Sequence, residues 1–212
     1  MRQRHTFIVL ASAIIAVCVG VPSYPARSLD LNPLAAIKNA IHTAIEDRNA
    51  ADISRDIELG NRILSEVIEP LGSEFLSIHS DVYEQTVMLT GVTDQIRQKQ
   101  AITRQIEKMD GVKGVFNDLI VVPAKSGNES AAEDFVDDTV IESKINAQLF
   151  AADTINVTNF RWRSVRSHVF LLGRALSEPE HKKVLGIVGN INKVQSVTDH
   201  IFIRSRSGTV RP

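Results

Sequence analysis

The histidine, serine and cysteine side chains of this 212-residue chain are the groups that could support catalysis or bind a metal. The six histidines are spaced without an H-E-x-x-H pair or a related metal-binding pattern: His5, His42, His79, His168, His181 and His200. The sequence contains no G-x-S-x-G nucleophile motif and no phosphate-binding glycine loop. It therefore predicts a protein that is not an enzyme and uses no metal and no cofactor, and it favours a binding or scaffolding role.

The N-terminal segment has the features of an export signal. Arg2 and Arg4 precede an almost wholly apolar run over residues 6–21, and two prolines within residues 22–25 interrupt any helix. Sixteen residues are few for a membrane span. Cleavage before Leu29, after small residues, is predicted.

The single cysteine, Cys18, leaves a second outcome open for this segment. The sequence Ile15-Ala16-Val17-Cys18 resembles a bacterial lipobox, although Val17 stands where that motif has Gly, Ala or Ser. Lipidation of Cys18 would anchor the protein to a membrane. Cleavage before Leu29 would instead leave a mature chain without cysteine, which excludes disulfides, thiol catalysis and thiolate metal sites.

The motif Gly111-Val-Lys-Gly114 matches the G-x-x-G loop of KH nucleic-acid modules. In KH modules this loop joins two helices, whereas the pattern here predicts a loop between a helix and a strand. Export also separates the protein from the usual nucleic-acid substrates. We therefore expect no nucleic acid among the partners.

The second half of the chain repeats the first with an offset of 82 residues. Val87-Met-Leu-Thr-Gly91 aligns with Val169-Phe-Leu-Leu-Gly173, and apolar positions stay aligned without a gap over roughly 65 residues. Such aligned pairs include Leu59 and Ile141, Ile63 and Ile145, Ile106 and Val188, Val115 and Val197, and Leu119 and Ile201. The chain therefore contains two copies of one small domain.

The two copies differ in charge. Residues 52–122 contain seven basic and twelve acidic residues, whereas residues 135–212 contain eleven basic and seven acidic residues. The formal net charge of the whole chain is only −1. The opposite charges could draw the copies together, or they could direct the second copy toward an anionic partner.

Hydrophobic periodicity predicts an α+β fold in which each copy has the order helix, strand, strand, helix, strand. The predicted strands span about 75–82, 85–91 and 115–122 in the first copy and 157–165, 169–173 and 195–203 in the second. The first helix is expected at about 52–69. Capping boxes at Thr139–Glu142 and Ser177–Glu180 are predicted to begin the helices of the second copy.

These elements give a predicted division of the whole chain. The predicted segments are a signal peptide (1–28), an N-terminal helical segment (29–51), a first domain (52–122), a linker (123–134), a second domain (135–205) and a flexible tail (206–212). The helix of the second segment is predicted from Leu34, Ile37, Ile41 and Ile45 after Asn32-Pro33.

One face of the second sheet mixes cations with large apolar groups. If Phe160, Trp162 and Leu171 face the helices, strand alternation places on the opposite face Arg161, Arg163, Phe170, Leu172, His200, Phe202 and Arg204. This face could contact anionic lipid or a partner protein. Alternatively, it packs against the matching face of the first copy, which would hold Met88, Thr90, Phe116, Asp118 and Ile120.

The repeated unit resembles the BON domain of bacterial envelope proteins. In the first copy the resemblance lies in Val87, Leu89 and Gly91 and in the segment from Gly111 to Val121. In the second copy it lies in Asp138, Ile141, Ile145, Val169, Leu171, Gly173, Val194 and Val197. A tandem behind an export signal is similar to the dual-BON outer-membrane lipoproteins and the osmotically inducible periplasmic proteins, which implies phospholipid binding and a role in outer-membrane integrity.

The chain departs from the BON pattern at two places. Lys193 stands where the first copy has Gly111, so we expect Gly189-Asn190 or Asn192 to make that turn. In dual-BON lipoproteins an aromatic residue follows an Asp-Thr pair on a lipid-contacting helix, but Val140 follows the pair here. The resemblance assigns lipid contact to Val140 and Lys144.

The sequence thus predicts a non-catalytic protein of the periplasm, or anchored to the outer membrane of a Gram-negative bacterium, that binds anionic phospholipid. The alternative is a periplasmic stress-protective or adaptor protein that binds another envelope protein without lipid contact. Gly91 and Gly173 are expected to admit close approach of a helix to the sheet.

Overall fold

The computed structural model describes residues 48–72, 78–122 and 129–204, with side chains described from residue 136 onward in the last range. The predicted signal peptide, Cys18, the helix of residues 34–45 and the tail of residues 206–212 lie outside the described residues. Within the described part, both copies have the predicted αββαβ order, which confirms the α+β fold class.

The first repeat contains two helices and a mixed sheet. Its elements are α1 (Ala50–Ile63), β1 (Ile78–Tyr83), β2 (Thr86–Thr93), α2 (Ile96–Ile106), β3 (Gly114–Asn117) and β4 (Ile120–Val121). A π-helical turn, Leu64–Ile68, extends α1 and buries both Val67 and Ile68. β1 pairs antiparallel with β2, and both β3 and β4 pair parallel with β2.

The second repeat has the same topology with a continuous last strand. Its elements are α3 (Glu129–Phe150), a 3-10 turn (Val157–Asn159), β5 (Phe160–Val165), β6 (His168–Ala175), α4 (Glu178–Gly189) and β7 (Ser196–Ile203). β6 lies at the centre, antiparallel to β5 and parallel to β7. The register repeats with the sequence, since Ile78 pairs with Gly91 and Phe160 pairs with Gly173.

Each repeat has its own apolar core between its helices and its sheet. In the second repeat the core is formed by Ile141, Ile145 and Leu149 of α3 packed on Phe160, Trp162, Val169 and Leu171. Trp162 is fully buried there. The first core holds the equivalent residues Leu59, Ile63, Val87 and Leu89. Burial of each such side chain contributes about 1.5–3 kcal/mol, which sets the helices on one face of each sheet.

The start of α3 corrects one sequence prediction. The helix begins at Glu129, so residues 129–134 of the predicted linker are helical, and Thr139 lies inside the helix rather than at its cap. The physical reason is composition, because no Gly or Pro interrupts Glu129–Phe150. The predicted cap of α4 is confirmed, since Ser177 accepts a hydrogen bond from the Glu180 amide (3.3 Å).

Two backbone predictions were wrong. Lys193 itself takes the left-handed conformation, with φ +79°, so the turn needs neither Gly189-Asn190 nor Asn192. At Gly173 the close neighbour is the backbone where the 3-10 turn meets β5, and not an α-helix. A Cβ there would lie 2.1 Å from the carbonyl oxygen of Asn159, which excludes any side chain.

Candidate functional site

Two surfaces contain the residues that the sequence assigned to binding. The first is the inter-sheet interface, where the open faces of the two sheets meet around Tyr83, Met88, Val165, Phe170 and Leu172. The second is the α3 stripe, the exposed apolar side chains Val136, Val140, Ala147 and Phe150.

The inter-sheet interface has an apolar centre. Met88 and Leu172 are fully buried, and Phe170 and Tyr83 are nearly so. Phe116, Val92 and Ile120 of the first repeat pack against this cluster. The sequence left open whether this sheet face contacts a ligand or packs against the first repeat. Phe170 and Leu172 pack against the first repeat, so a ligand cannot reach their side chains while the sheets are in contact.

Ion pairs surround this centre, and in each of them the first repeat supplies the acid. Arg163 Nε lies 2.8 Å from Asp81 Oδ2. Glu84 accepts hydrogen bonds from both Arg174 (2.6 Å) and Arg204. These two acids account for two of the five excess acids of the first repeat, and the three arginines account for three of the four excess cations of the second. Most of the charge difference between the copies therefore lies in their mutual contact.

Aromatic rings complete the interface on both sides. The ring of His200 stacks on Phe116 with centroids 3.8 Å apart, and its Nε2 lies 2.8 Å from Asp118. The guanidinium of Arg161 lies 5.4 Å from the Tyr83 ring centre, and Arg161 also donates to the carbonyl of Thr158 (2.9 Å). Arg161 thus positions the start of β5 against the first repeat.

Phe202 is the member of the predicted sheet-face site that keeps substantial exposure. Its side chain is 47% exposed at the rim of the interface, 6.2 Å from the ring of Phe116. Arg174 lies opposite it on the neighbouring strand. The rim therefore presents one aromatic ring beside an arginine that is already paired with Glu84.

The α3 stripe runs along the solvent side of its helix. Val136 is 59% exposed, Val140 39% and Phe150 42%. Val140 follows Val136 by four residues, Ala147 follows Val140 by seven, and Phe150 follows Ala147 by three. Residues at these spacings share a helix face, so the four side chains form one stripe. The opposite face of the same helix packs in the core, so α3 is apolar on two sides.

Lysines lie near this stripe. Lys144, which is partly buried, follows Val140 by one turn. α4 packs beside α3 and carries the exposed Lys182 and Lys183. Lys193 bonds to Asp137 at the other end of the stripe (2.6 Å). The helical side of the second repeat therefore combines apolar groups with lysines and with acids such as Asp137.

The sequence prediction found only part of each surface. It placed Val140 and Lys144 on this helix but missed Val136, because the helix was expected to begin near Thr139. It also missed Ala147 and Phe150, whose exposure depends on which face of the helix packs in the core. Recognition of a helix that continues from residue 129 would have revealed the spacing. It also missed Asp81, Glu84 and Arg174, whose interaction depends on how the two sheets meet and leaves no local signal.

The polar contacts of the described residues do not assemble a catalytic set. His168 Nδ1 lies 2.6 Å from Ser196 Oγ, but no carboxylate of the described chain orients this ring. His181 pairs with Asp199 at 2.7 Å without a nucleophile beside it. Within the described ranges no three potential ligands cluster to hold a metal ion. Among the helices that the structure describes, none combines the length and apolarity needed to cross a membrane.

Comparison with known proteins identifies the repeated unit. The model of the BON domain matches residues 58–123 and 137–205, which are the two structural repeats. An uncharacterised protein in the gshII 5′ region of Anaplasma centrale is 28% identical over 130 residues, which cover 61% of this chain and 83% of that relative.

Two solved structures of CdsD, a structural protein of the type III secretion system of Chlamydia trachomatis, are also similar. Each is 11% identical, with TM-scores of 0.30 and 0.29. The matches cover 67% and 66% of this chain and 92% and 96% of those chains.

Proposed function

Because this chain belongs to the BON-domain family, we propose that it is a non-catalytic cell-envelope protein that binds anionic phospholipid and supports outer-membrane integrity. BON domains are associated with phospholipid binding and with envelope stress proteins, and proteins that contain them are generally non-catalytic. The lipid contact is assigned to the α3 stripe and its neighbouring lysines.

The exposure of the α3 stripe is the observation that carries this proposal. Val136, Val140 and Phe150 expose apolar surface on a helix whose opposite face is already buried in a core. Each large apolar side chain that enters a lipid interface contributes about 25 cal/mol per Å² of surface removed from water. An amphipathic helix of this kind lies in the plane of the membrane interface and does not span it.

An anionic lipid is proposed in preference to a neutral one because of the lysines on the helical side of the second repeat, while α3 itself has six acidic residues and one lysine. The arginines of the second sheet are paired with acids of the first repeat, so they add little attraction for a membrane. Lys144, Lys182 and Lys183 lie on the helical side instead, and each contributes about 1 kcal/mol near an anionic surface. Lipid contact therefore orients the helices of the second repeat toward the membrane.

Anchoring determines how strongly such a surface must bind. A stable membrane association requires two signals, for example one acyl chain and a basic or apolar patch. If Cys18 is lipidated, the α3 stripe needs to supply only the weaker second signal. If the chain is cleaved before Leu29, the stripe and its lysines act alone, and binding is reversible.

The test is sedimentation of the purified chain with vesicles of phosphatidylglycerol or of phosphatidylcholine. Binding to the anionic vesicles that falls as salt rises is expected. Val140→Asp should weaken binding about tenfold or more, because it removes apolar contact and adds a negative charge. Ile57→Asp is the matched control, since Ile57 is 55% exposed on the first helix of the other repeat.

Two outcomes would argue against lipid binding. Equal binding to both vesicle types would remove the electrostatic part of the proposal. No binding to either, with the Val140→Asp chain indistinguishable from the parent, would favour the adaptor alternative, in which the same surface contacts another envelope protein.

A further inference from the structure

The contacts between the two sheets join equivalent positions of the two repeats. Asp81 and Arg163 are separated by 82 residues, and so are Asp118 and His200, which is the offset that aligns the copies. An interface in which a residue meets its own equivalent is isologous, as in a two-fold symmetric dimer. The two repeats therefore meet through the same surface.

Charge differs between the repeats at these shared positions. Asp81 corresponds to Arg163, and Glu84 corresponds to Arg166. The two arginines that bind Glu84 also stand at positions where the repeats differ in charge. Arg174 and Arg204 stand where the first repeat has the uncharged Val92 and Val122.

Pairing of two first repeats through this surface would be unfavourable. Asp81 would face a second Asp81 across the symmetry axis. Glu84, which is bound by two arginines here, would face Val92 and Val122 and lose both ion pairs. Carboxylates left without partners in a partly buried interface destabilise that interface.

Pairing of two second repeats would bring cations together. Arg163 would face Arg163, and Arg166 would lie beside Arg174 and Arg204. Like charges placed together at an interface suppress the wrong partner. Only the combination of a first with a second repeat places both Asp81 and Glu84 beside arginines.

We infer that positions 81/163, 84/166 and 118/200 act as a pairing code, so that the sheet face of each repeat docks selectively on the opposite repeat. Within one chain this closes the two domains on each other. The external partner that fits either face is the opposite repeat of a second copy of this chain.

Charge reversal in the full chain tests the code. Asp81→Arg places two arginines in contact, and Arg163→Asp places two aspartates in contact. Each should lower Tm by about 4–8 °C. The double variant D81R/R163D should recover most of that loss. Asp153→Arg, at an exposed position in the turn after α3, is the control for charge alone and should leave Tm nearly unchanged.

Mixing the two single variants tests the docking between copies. The first repeat of the D81R chain matches the second repeat of the R163D chain, and the reverse combination keeps the native pair. Native mass spectrometry should therefore show a heterodimer in the mixture that neither variant forms alone. Absence of the heterodimer, or a double variant no more stable than the single ones, would overturn the inference.

Discussion

Asp138 occupies in the second repeat the position that Asp56 occupies in the first, and each carboxylate accepts hydrogen bonds from both backbone amides of a hairpin turn. Asp56 binds the amides of Glu84 and Gln85 at 2.8 Å each. Asp138 binds those of Arg166 (2.6 Å) and Ser167 (2.8 Å). All four turn residues are left-handed, with φ between 49° and 65°. The carboxylate therefore stabilises a turn that side chains other than Gly and Asn disfavour.

Removal of the Asp138 carboxylate should destabilise the protein. Asp138→Ala leaves two turn amides and the Ser164 hydroxyl without their acceptor, so we expect a loss of about 2–4 kcal/mol in the free energy of unfolding. Chemical denaturation followed by the fluorescence of Trp162 measures it. Asp153→Ala, at an exposed position, should change the value by less than about 0.5 kcal/mol. Equal effects of the two substitutions would contradict the conclusion that Asp138 stabilises the hairpin turn.

Glycine in the same turn should stabilise the protein. Ser167 has φ +65°, which costs a residue with a Cβ about 1 kcal/mol. Ser167→Gly keeps the amide that binds Asp138 and removes this cost, so a gain of about 0.5–1 kcal/mol is expected in the same denaturation experiment. A loss of stability would show that the turn does not adopt the left-handed conformation.

Two glycines of the second repeat should respond in opposite directions to substitution by alanine. At Gly173 a Cβ would meet the backbone of Asn159 and Phe160, so Gly173→Ala should cost about 3 kcal/mol or more. At Gly186, within α4, a Cβ meets nothing within 4 Å. Gly186→Ala should therefore stabilise the helix by about 0.5–1 kcal/mol. Thermal unfolding of both variants gives the comparison, and similar changes in Tm would contradict the geometry at Gly173.

Lipidation of Cys18 has a direct assay in cells. If the lipobox alternative holds, the chain incorporates a palmitate analogue, and Cys18→Ala abolishes the labelling. If the chain is cleaved before Leu29, no label is incorporated and mass spectrometry of the exported protein finds Leu29 at its N-terminus. An unmodified Cys18 in the exported product would exclude both outcomes.

The sequence alone predicted the order of the helices and strands, and it predicted which side chains of each sheet face the helices. These features depend on local periodicity, which places Trp162 and Leu171 on one face and Phe170 and Leu172 on the other. It was also sufficient for the repeat itself, because the offset of 82 residues preserves the apolar positions. Val140 and Lys144 were found only through the family resemblance.

The features that the sequence did not predict depend on contacts between residues that are far apart in the chain. The turn at Lys193 was missed because a lysine at positive φ is rare, and only the fold requires that conformation. The contact of Asp81 with Arg163 depends on how two sheets dock, which is long-range information. The charge difference between the copies indicated that they could attract each other, but it did not identify the residues involved.

The most direct test of the account is the immersion depth of α3 in an anionic membrane. Nitroxide labels are placed singly at residues 136–151 of a Cys18→Ser chain, and accessibility to oxygen and to a polar relaxation agent is measured with phosphatidylglycerol vesicles. We predict immersion at positions 136, 140, 147 and 150, with intervening positions on the core side unaffected and with the helical period of 3.6 residues. Labels that stay equally exposed to water with and without vesicles would contradict lipid contact through α3.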